Sequence, residues 1–343
     1  MTKPLITLNG ADGGGQLLRS ALTLSLITGQ PFHMHNIRGG RPKPGLMRQH
    51  LTCVNATQQI GQADVENAVL GSTELTFYPK AIQAGDYKFA IGTGGSTTLL
   101  LQTLLPALLY ASEASTLHLE GGTHNSMAPP FEFLDQCYLP QLQKMGAKAS
   151  LRLERHGFSQ VGGGALHAEI KPLKKWKTLK LLDRGERTST SGTILHAHIP
   201  TDVAERERQS AAAMLNWQAE DVQIQFVQSS GPGSIIMLSA HYENLSEITS
   251  SVAQIGKKAE SVGTSAAKRM RNFLSARGVV GACLSDQLLL PMALAGKGTF
   301  STFTLTSHMQ THMDLIPRFL PVQFDVETPM PGLHIIKVAK TGG

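Results

Sequence analysis

The sequence is short of the features that mark secreted, membrane and disordered proteins. Its 343 residues include only 3 cysteines, widely separated, and 16% charged residues. The odd cysteine number and wide spacing favour a reducing compartment, so we expect a cytoplasmic protein without a disulfide framework. The first residues lack the apolar segment of a signal peptide. The longest apolar stretch, residues 97–111, is interrupted by Gln102 and Pro106 and is too short for a membrane span.

Acidic residues are absent from one long segment. Between Gly13 and Ala63 there is no Asp or Glu, where 25 acidic residues in 343 would predict about four. The same segment holds five Lys or Arg and three His. A buried segment that simply avoids charge would not carry five cations. The pattern therefore favours an anion-binding surface, most naturally for phosphate, because Arg matches phosphate oxygens bidentately.

The 34 glycines separate repeated units. The segment LITL-GADGGG-QLLRSALTLSLITG predicts a strand, a turn and an apolar helix, and YKFAI-GTGG-STTLLLQTLLPALLYA repeats that pattern. Two further helices are each opened by proline and closed by glycine: Pro44 to Gly61, and Pro129 with Pro130 to Gly146. The spacing predicts a repeated strand-helix-strand-helix-strand unit of about 80 to 85 residues.

The third unit is interrupted. A different pattern of strands and polar helices follows residue 183, and the glycine-then-apolar pattern returns as GVVGACLSDQLLLPMALAG. We therefore interpret residues 184–276 as a smaller inserted α+β domain. Residues 1–183 and 277–343 then form one large domain.

The glycine-rich turns would present unpaired backbone N–H groups at helix starts, an arrangement that suits phosphate. Neither GADGGGQ nor GTGGSTT matches the P-loop or the dinucleotide-binding fingerprint. Glycine chosen only for tight turns explains either turn equally well when each is taken alone. Several such turns beside an Arg-rich, acid-free segment favour a single anionic site.

His308 is the histidine that the pattern singles out. It follows an alternating strand and the Thr306–Ser307 pair, at a strand end beside a helix start, where α/β folds place chemistry. His312 lies one turn later, but HMQTH lacks the Glu of a zinc protease motif. From the residues alone, both a catalytic and a structural role remain open for His308.

The chain resembles the RNA 3′-terminal phosphate cyclase family over nearly its full length. The matching segments include GADGGGQLLRSALTLS, IRGGRPKPGLMRQHL, GGTHNSMAPPFEFL, SDQLLLPMALAGKG and TSHMQTH. The resemblance implies three βαβαββ-like repeats with an inserted α+β domain. It also implies ATP-dependent conversion of an RNA 3′-phosphate to a 2′,3′-cyclic phosphodiester, through a histidine-AMP and an RNA-adenylate.

The resemblance also implies roles for individual residues. His308 matches the nucleophile, and Asp12 and Asp286 would hold a divalent metal, Mg²⁺ or Mn²⁺. A homodimer and an RNA partner with a 3′-phosphate are further expectations, with no membrane association. The expected ATP contacts are Gln102, Pro130, Cys283, Leu284, Ser285, Asp286 and Gln287, and the expected phosphate or RNA-end contacts are Arg19, Arg38, Arg41 and Gln49.

Two departures and two alternatives accompany this resemblance. Asp12 stands in a shortened loop where many relatives have Glu, and Cys283 stands where bacterial relatives often have an aromatic residue, so we expect a substitute stacking partner. Pro129, Pro130 and Phe131 form an apolar wall for adenine or merely open a helix.

The alternative functions are a cyclase-like factor in ribosomal RNA processing, which binds without catalysis, and an enolpyruvyl transferase. Both lack a nucleophilic histidine.

Overall fold

The first repeat starts at the N-terminal end of the computed structural model, in which residues 3–11, 13–159 and 161–342 are described. As predicted, the first helix ends where Gly29 takes a left-handed conformation. The second helix begins at Arg48 rather than at Pro44, because Gly45 and Leu46 donate backbone hydrogen bonds to Ile37 and Ser72 and belong to a loop. The elements are β1 (Ile6–Asn9), α1 (Gly14–Thr28), β2 (Phe32–His35), α2 (Arg48–Gly61), β3 (Asp64–Glu66) and β4 (Leu75–Tyr78).

The second repeat follows the same order. The hydroxyl oxygen of Ser96 accepts the Leu99 N–H and caps its first helix. Its second helix, predicted from the flanking proline and glycine, contains a π-turn in which the Leu139 N–H bonds to Leu134 five residues back. Pro140 follows and has no N–H to offer a regular helix. The elements are β5 (Asp86–Ala90), α3 (Thr97–Leu108), β6 (Ser115–Gly121), α4 (Phe131–Phe133), the π-turn (Leu134–Tyr138), α5 (Leu139–Lys144), β7 (Lys148–Arg155) and β8 (Gly164–Lys171).

The third repeat begins with β9 (Leu179–Leu181) and is then interrupted by a separate sheet. The strands of that sheet lie in the order β11-β10-β12-β13, and its two helices, α6 and α7, pack against each other. The sequence analysis did not predict the last of these strands. The elements of the insert are β10 (Arg187–Ala197), α6 (Thr201–Leu215), a 3₁₀ turn (Ala219–Asp221), β11 (Val222–Phe226), β12 (Gly233–Tyr242), β13 (Ser246–Val252) and α7 (Ala259–Ser275).

After the insert the third repeat is completed in the order of the other two. The hydroxyl oxygen of Thr306 accepts the Met309 N–H and caps the second helix of this repeat. The predicted strand end and helix start around His308 are therefore confirmed. The elements are α8 (Ala282–Ala295), β14 (Lys297–Thr302), α9 (Ser307–Leu315), a 3₁₀ turn (Ile316–Arg318), β15 (Val322–Met330) and β16 (Leu333–Lys340).

The three repeats have sheets with the same strand pairing. Their orders are β1-β2-β4-β3, β5-β6-β8-β7 and β9-β14-β16-β15, and in each the first two strands pair in parallel and the other neighbours antiparallel. This arrangement confirms the predicted fold class of three βαβαββ repeats with an inserted α+β unit. The division into domains at residues 184 and 276 stays a prediction.

The first helices of the repeats are mainly apolar, and their leucines form much of the core. Leu18 and Leu22 of α1 and Leu104 and Leu108 of α3 are fully buried. Helix α1 packs against α2, α3 and α9, and α9 packs against α8. This packing places the polar side chains of these helices on one side of the apolar core. None of the described helices is long and apolar enough to cross a bilayer.

Candidate active site

A cavity of about 820 Å³ lies between the helices of the repeats and the insert. Its lining residues on α1, α3 and α8 recur at helical spacings of three, four and seven, so each helix presents one stripe. Strand β13 and helix α7 of the insert form the facing wall. The helical residues are Gln16, Arg19, Ser20 and Thr23 on α1, Leu99, Gln102 and Thr103 on α3, and Ala282, Cys283, Asp286, Gln287 and Leu290 on α8.

His308 enters this cavity from the first turn of α9. Its Nδ1 lies 3.2 Å from Oδ2 of Asp286 on α8. The carboxylate accepts a hydrogen bond from Nδ1–H, and in that tautomer the lone pair is on Nε2. In the described part of the chain no hydrogen bond involves Nε2, and 57% of the side chain is exposed, against 11% for Asp286. The geometry suits a nucleophile oriented by a carboxylate.

His312 was missed by the sequence analysis as a site residue. Its Nδ1 donates to the backbone carbonyl of Asp286 at 2.8 Å, and its Nε2 accepts from the hydroxyl of Ser20 at 2.6 Å. Burial lowers the pKa of His312, although Asp286 opposes that decrease, so the ring is neutral near pH 7. His312 therefore joins α1, α8 and α9 where Asp286 meets His308. Its spacing of four from His308 was the available signal.

The predicted nucleotide contacts divide into two groups. Gln102, Pro130, Cys283, Asp286 and Gln287 line the cavity as expected. Leu284 and Ser285 do not, because their side chains are fully buried on other sides of α8, and the Ser285 hydroxyl donates to the carbonyl of Ala282. The expected ATP contacts at these two residues stay predictions from the resemblance.

Pro129 and Pro130 line the cavity, and Pro130 also immediately precedes α4, so an adenine wall and a helix opening both stay predictions for this pair. The Thr98 hydroxyl donates to the Pro129 carbonyl at 2.8 Å and fixes the proline pair. Phe131 is buried in the core and does not line the cavity. Its ring is replaced in the wall by aromatic residues from α4, the π-turn, the insert and the third repeat. These candidates for the stacking role that Cys283 cannot fill are Phe133, Tyr138, Phe273 and Phe303.

Cations surround the N-terminal end of α1. Among the described residues no side chain caps this helix, and Gly14 takes a left-handed φ of 56°. A Cβ added at Gly14 would lie 3.3 Å from Nη2 of Arg41, and one added at Gly15 would overlap His50 and lie 3.1 Å from Nη1 of Arg19. Only glycine therefore leaves room beside these side chains. The uncapped N–H groups and the two guanidinium groups together suit an anion.

His50 adds a neutral donor to this group of cations. Burial and, to a lesser extent, Arg19 and Arg38 lower the pKa of His50 to about 3. Its Nδ1 accepts the Met47 N–H at 3.2 Å, so the proton of the neutral ring is on Nε2, beside Gly15. The sequence analysis noted His50 only as part of the basic segment.

Arg38, Arg41 and Gln49 do not line the main cavity. One amine of Arg38 donates to the carbonyls of Lys43 at 2.7 Å and Gly45 at 2.9 Å, so Arg38 holds the loop that carries Arg41. Burial, with the like charge of Arg41, lowers the pKa of Arg38. A direct phosphate contact is thus better supported for Arg41 than for Arg38.

Gln49 lies beside the second glycine-rich turn. Its Oε1 accepts the Ser96 N–H at 3.1 Å and joins the first repeat to the second. This contact forms one side of a groove of about 330 Å³, which shares Leu99 and residues 126–128 with the main cavity. Most of the side chains that line the groove are polar, and the shared residues connect it to the cavity.

The predicted metal ligands can be assessed only in part, because Asp12 lies outside the described residues. Asp286 lines the cavity, and among the described residues no further His, Cys, Asp or Glu completes a metal cluster around it. Mg²⁺ is commonly held by one or two carboxylates together with substrate phosphates. A single carboxylate facing a nucleotide-sized cavity fits such an ion, carried in with the phosphates.

Glu247 of the insert is a second residue that sequence analysis missed. It lines the cavity, is 4% exposed, and its Oε2 has no hydrogen-bond partner among the described residues. Burial raises the pKa of Glu247 to about 8, partly offset by Arg184. A Cβ on Gly281 would overlap its carboxyl group, which therefore occupies the space at the start of α8.

Comparison with known proteins identifies the family. The family model described as RNA 3′-terminal phosphate cyclase matches residues 11–326. The chain belongs to the RNA 3′-terminal phosphate cyclase family. Relatives named RNA 3′-terminal phosphate cyclase occur in Ectopseudomonas mendocina (46% identity over 94% of this chain and 95% of the relative), Koribacter versatilis (45%, over 94% and 92%) and Pseudomonas fluorescens (45%, over 95% and 95%).

The cyclase family match covers the insert and most of the three repeats, leaving out β1 and β16 at the two ends. It includes both Asp12 near its beginning and His308 near its end. The cavity and the cationic start of α1 therefore lie within the part of the chain that is shared with this cyclase family. The resemblance drawn from the sequence motifs is confirmed.

Proposed function

We propose that this protein is an ATP-dependent RNA 3′-phosphate cyclase that works through a covalent histidine-AMP and an RNA-adenylate. The observation that carries the proposal is the pairing of His308 with Asp286 at the edge of a nucleotide-sized cavity. An imidazole that is oriented through Nδ1, and whose Nε2 has no hydrogen bond to a described residue, is suited to nucleophilic attack. A factor that only binds RNA has no use for such a pair.

In the first step, Nε2 of His308 attacks the α-phosphorus of ATP. A phosphorus–nitrogen bond forms, the bond to the pyrophosphate oxygen breaks, and pyrophosphate leaves. Asp286 stabilises the positive charge that develops on the imidazole ring, since its carboxylate accepts a hydrogen bond from Nδ1–H. Pro130 and the aromatic residues of the cavity enclose the adenine, and Gln102 and Gln287 supply polar contacts.

In the second step, an oxygen of the RNA 3′-phosphate attacks the same phosphorus and displaces the Nε2 of His308. The 2′-hydroxyl of the terminal ribose then attacks the RNA 3′-phosphorus, the ring closes, and AMP leaves. AMP is a far better leaving group than the hydroxide or oxide that direct cyclisation would expel. Adenylylation thus divides a high barrier into smaller ones.

The RNA end binds at the start of α1 in this proposal. Gln16, the next residue after Gly15, contacts the backbone carbonyl of His308 at 3.4 Å, so the first turn of α1 adjoins the nucleophile. Arg41 and Arg19 provide charge for the 3′-phosphate. Gln49 contributes indirectly by holding the second glycine-rich turn.

A divalent ion, Mg²⁺ or Mn²⁺, would neutralise triphosphate charge when bound, with Asp286 as the described ligand and Asp12 as a predicted one. We retain the two-domain division as part of this proposal. A cytoplasmic role in RNA processing and a homodimer stay predictions from the sequence.

The test is a cyclisation assay with purified protein, ATP and Mg²⁺. An RNA with a 3′-phosphate should become resistant to phosphatase and yield a 2′,3′-cyclic end, and matched RNAs with a 3′-hydroxyl or a 2′-deoxy terminal nucleotide should not. Pyrophosphate and AMP should appear in proportion to the cyclic product. Tight RNA binding with no phosphatase-resistant product would instead support the non-catalytic alternative.

A further inference from the structure

A cluster of two histidines and a glutamate lies on the outer face of the second repeat's sheet. His118 is on β6, His167 on β8 and Glu154 on β7, and these three strands are neighbours. The metal-ligating atoms of the three residues lie within 4.8 Å of one another. None of the three lines the cavity or the groove.

The strand register explains why the side chains meet. His118 and His167 are directly opposed in the antiparallel pair β6–β8. Arg152 is opposed to His167 on the other side, and the β7–β8 register shifts between Leu153 and Arg155, where Glu154 lies. Directly opposed residues have neighbouring side chains, and a bulge redirects the residue it contains. The backbone therefore brings the three groups together without a flexible loop.

His118 is held between two carboxylates. Its Nε2 lies 3.1 Å from Oε1 of Glu120, and its Nδ1 lies 3.1 Å from Oε2 of Glu154. A neutral imidazole has one N–H, so it can donate to only one of them, and the other contact would bring two lone pairs together. A proton or a metal cation must occupy that second position. The ring of His167 beside it supplies a third ligand, which a metal ion uses and a proton does not need.

The surroundings resemble those of known metal sites in two respects. Metal-bound histidines usually donate their other N–H to a carboxylate, which Glu120 provides for His118. Oε1 of Glu154 accepts from Arg152 at 2.7 Å, and this bond orients Oε2 toward the histidines. Two imidazoles with one carboxylate form a donor set that suits Zn²⁺ and leaves a position for water. The side chains keep between 22% and 27% exposure, which gives an ion access.

We propose that His118, His167 and Glu154 bind one transition-metal dication, preferably Zn²⁺, at a site separate from the nucleotide cavity. Mg²⁺ does not compete effectively, because it prefers oxygen ligands in octahedral geometry. The ion crosslinks three strands of the second sheet. Lys88 and Arg152, each paired with one of the carboxylates, reduce the negative charge of the site and favour reversible binding.

The test is calorimetric titration of chelator-stripped protein with Zn²⁺ in excess Mg²⁺. Wild type should bind one Zn²⁺ more than the double variant His118→Ala/His167→Ala. Glu120→Gln should weaken this binding about tenfold or more. His334→Ala, which removes a histidine from the third repeat's sheet, should bind as wild type does. The near-isosteric variant Glu154→Gln gives a second reading, in which the Zn²⁺-induced rise in thermal stability should be smaller than in wild type.

Cyclase activity with Mg²⁺ should be unchanged in His118→Ala/His167→Ala, because the site is outside the cavity. This keeps the metal proposal independent of the proposed function. Equal Zn²⁺ stoichiometry and affinity in wild type and the double variant, or an unchanged thermal response in Glu154→Gln, would overturn the proposal. So would the absence of Zn²⁺ binding by wild type.

Discussion

The first helices of the first and third repeats have equivalent places in the fold, but one begins beside basic side chains and the other beside an acidic one. Helix α1 starts after Gly13 and α8 after Gly281, and no side chain in the described part of the chain caps either start. Arg41 and Arg19 lie beside the start of α1, whereas Glu247 fills the space at the start of α8. The repeated topology creates two similar helix starts. The loop that carries Arg41 and the insert that carries Glu247 decide what each start can bind.

The second repeat provides the intermediate case. Ser96 caps α3 with its own hydroxyl, and Gln49 accepts the Ser96 N–H, so backbone groups at this helix start already have partners. Of these three described helix starts, the first therefore combines uncapped backbone N–H groups with nearby cations. This is the physical reason why we propose the RNA-phosphate site at α1 rather than at the other two helix starts.

The largest effect is expected from Asp286→Asn on α8. The neutral amide no longer stabilises the Nδ1–H form of His308, and its own N–H₂ group can hold the ring in the other tautomer. The rate of histidine adenylylation should fall roughly 10³- to 10⁴-fold. Single-turnover kinetics with labelled ATP measures this rate.

Asp314→Asn is the matched control, because Asp314 is exposed on α9 and contacts only Gln310 among the described side chains. The control should retain the wild-type rate. If high Mg²⁺ restored the adenylylation rate of the Asp286→Asn variant, metal binding, rather than orientation of His308, would be the main role of Asp286. A loss of less than tenfold would contradict the orienting role.

The anion site at α1 should be weakened by Arg41→Ala. Loss of a charge-assisted hydrogen bond contributes about 1.5 to 3 kcal/mol, so affinity for a 3′-phosphorylated RNA should fall roughly 10- to 100-fold. Affinity for the 3′-hydroxyl form should change little. Binding titrations with both RNAs, and with Lys43→Ala as an exposed cation in the same loop, test this specificity. An equal loss for both RNAs would make Arg41 a general backbone contact.

Glu247→Gln should alter how stability depends on pH. The pKa of Glu247 is raised to about 8 in the folded protein from an ordinary 4.5, so the folded state retains a proton that the unfolded state releases. Between these values the free energy of unfolding falls as pH rises. The variant should lack this contribution and gain about 4 kcal/mol relative to wild type between pH 5 and pH 8.5.

Urea unfolding at several pH values measures the difference. Glu220→Gln, at an exposed position in the insert, is the control and should keep the wild-type slope. Parallel curves for wild type and Glu247→Gln would contradict the assignment of a buried, protonated carboxyl group at the start of α8.

The smallest effect is expected at the capped helix of the second repeat. Ser96→Ala removes the hydroxyl that accepts the Leu99 N–H and should lower the free energy of unfolding by about 1 kcal/mol. Thr93→Ala in the same turn, where the side chain is exposed, should lower the free energy of unfolding by less than Ser96→Ala does. Thermal unfolding compares the two variants, and equal stability would mean that Ser96 does not act as a cap.

The sequence predicted the repeated architecture well because glycine and proline mark where helices and turns begin and end. Gly29 and the Thr306 cap are local features that need no distant partner. His312 and Glu247 could not be assigned in this way, since their roles depend on contacts with α1, α8 and the insert. Leu284 and Ser285 lie outside the cavity lining because five consecutive helical residues cannot all face one side of α8.

The central claim is that Nε2 of His308 carries AMP, and peptide mass spectrometry after incubation with ATP and Mg²⁺ tests it most directly. The peptide containing His308 should gain the mass of one AMP, and the modification should be acid-labile. His308→Asn should show no modification, while His334→Ala should be modified like wild type. AMP on a different residue, or cyclic product formed by His308→Asn at the wild-type rate, would contradict the account.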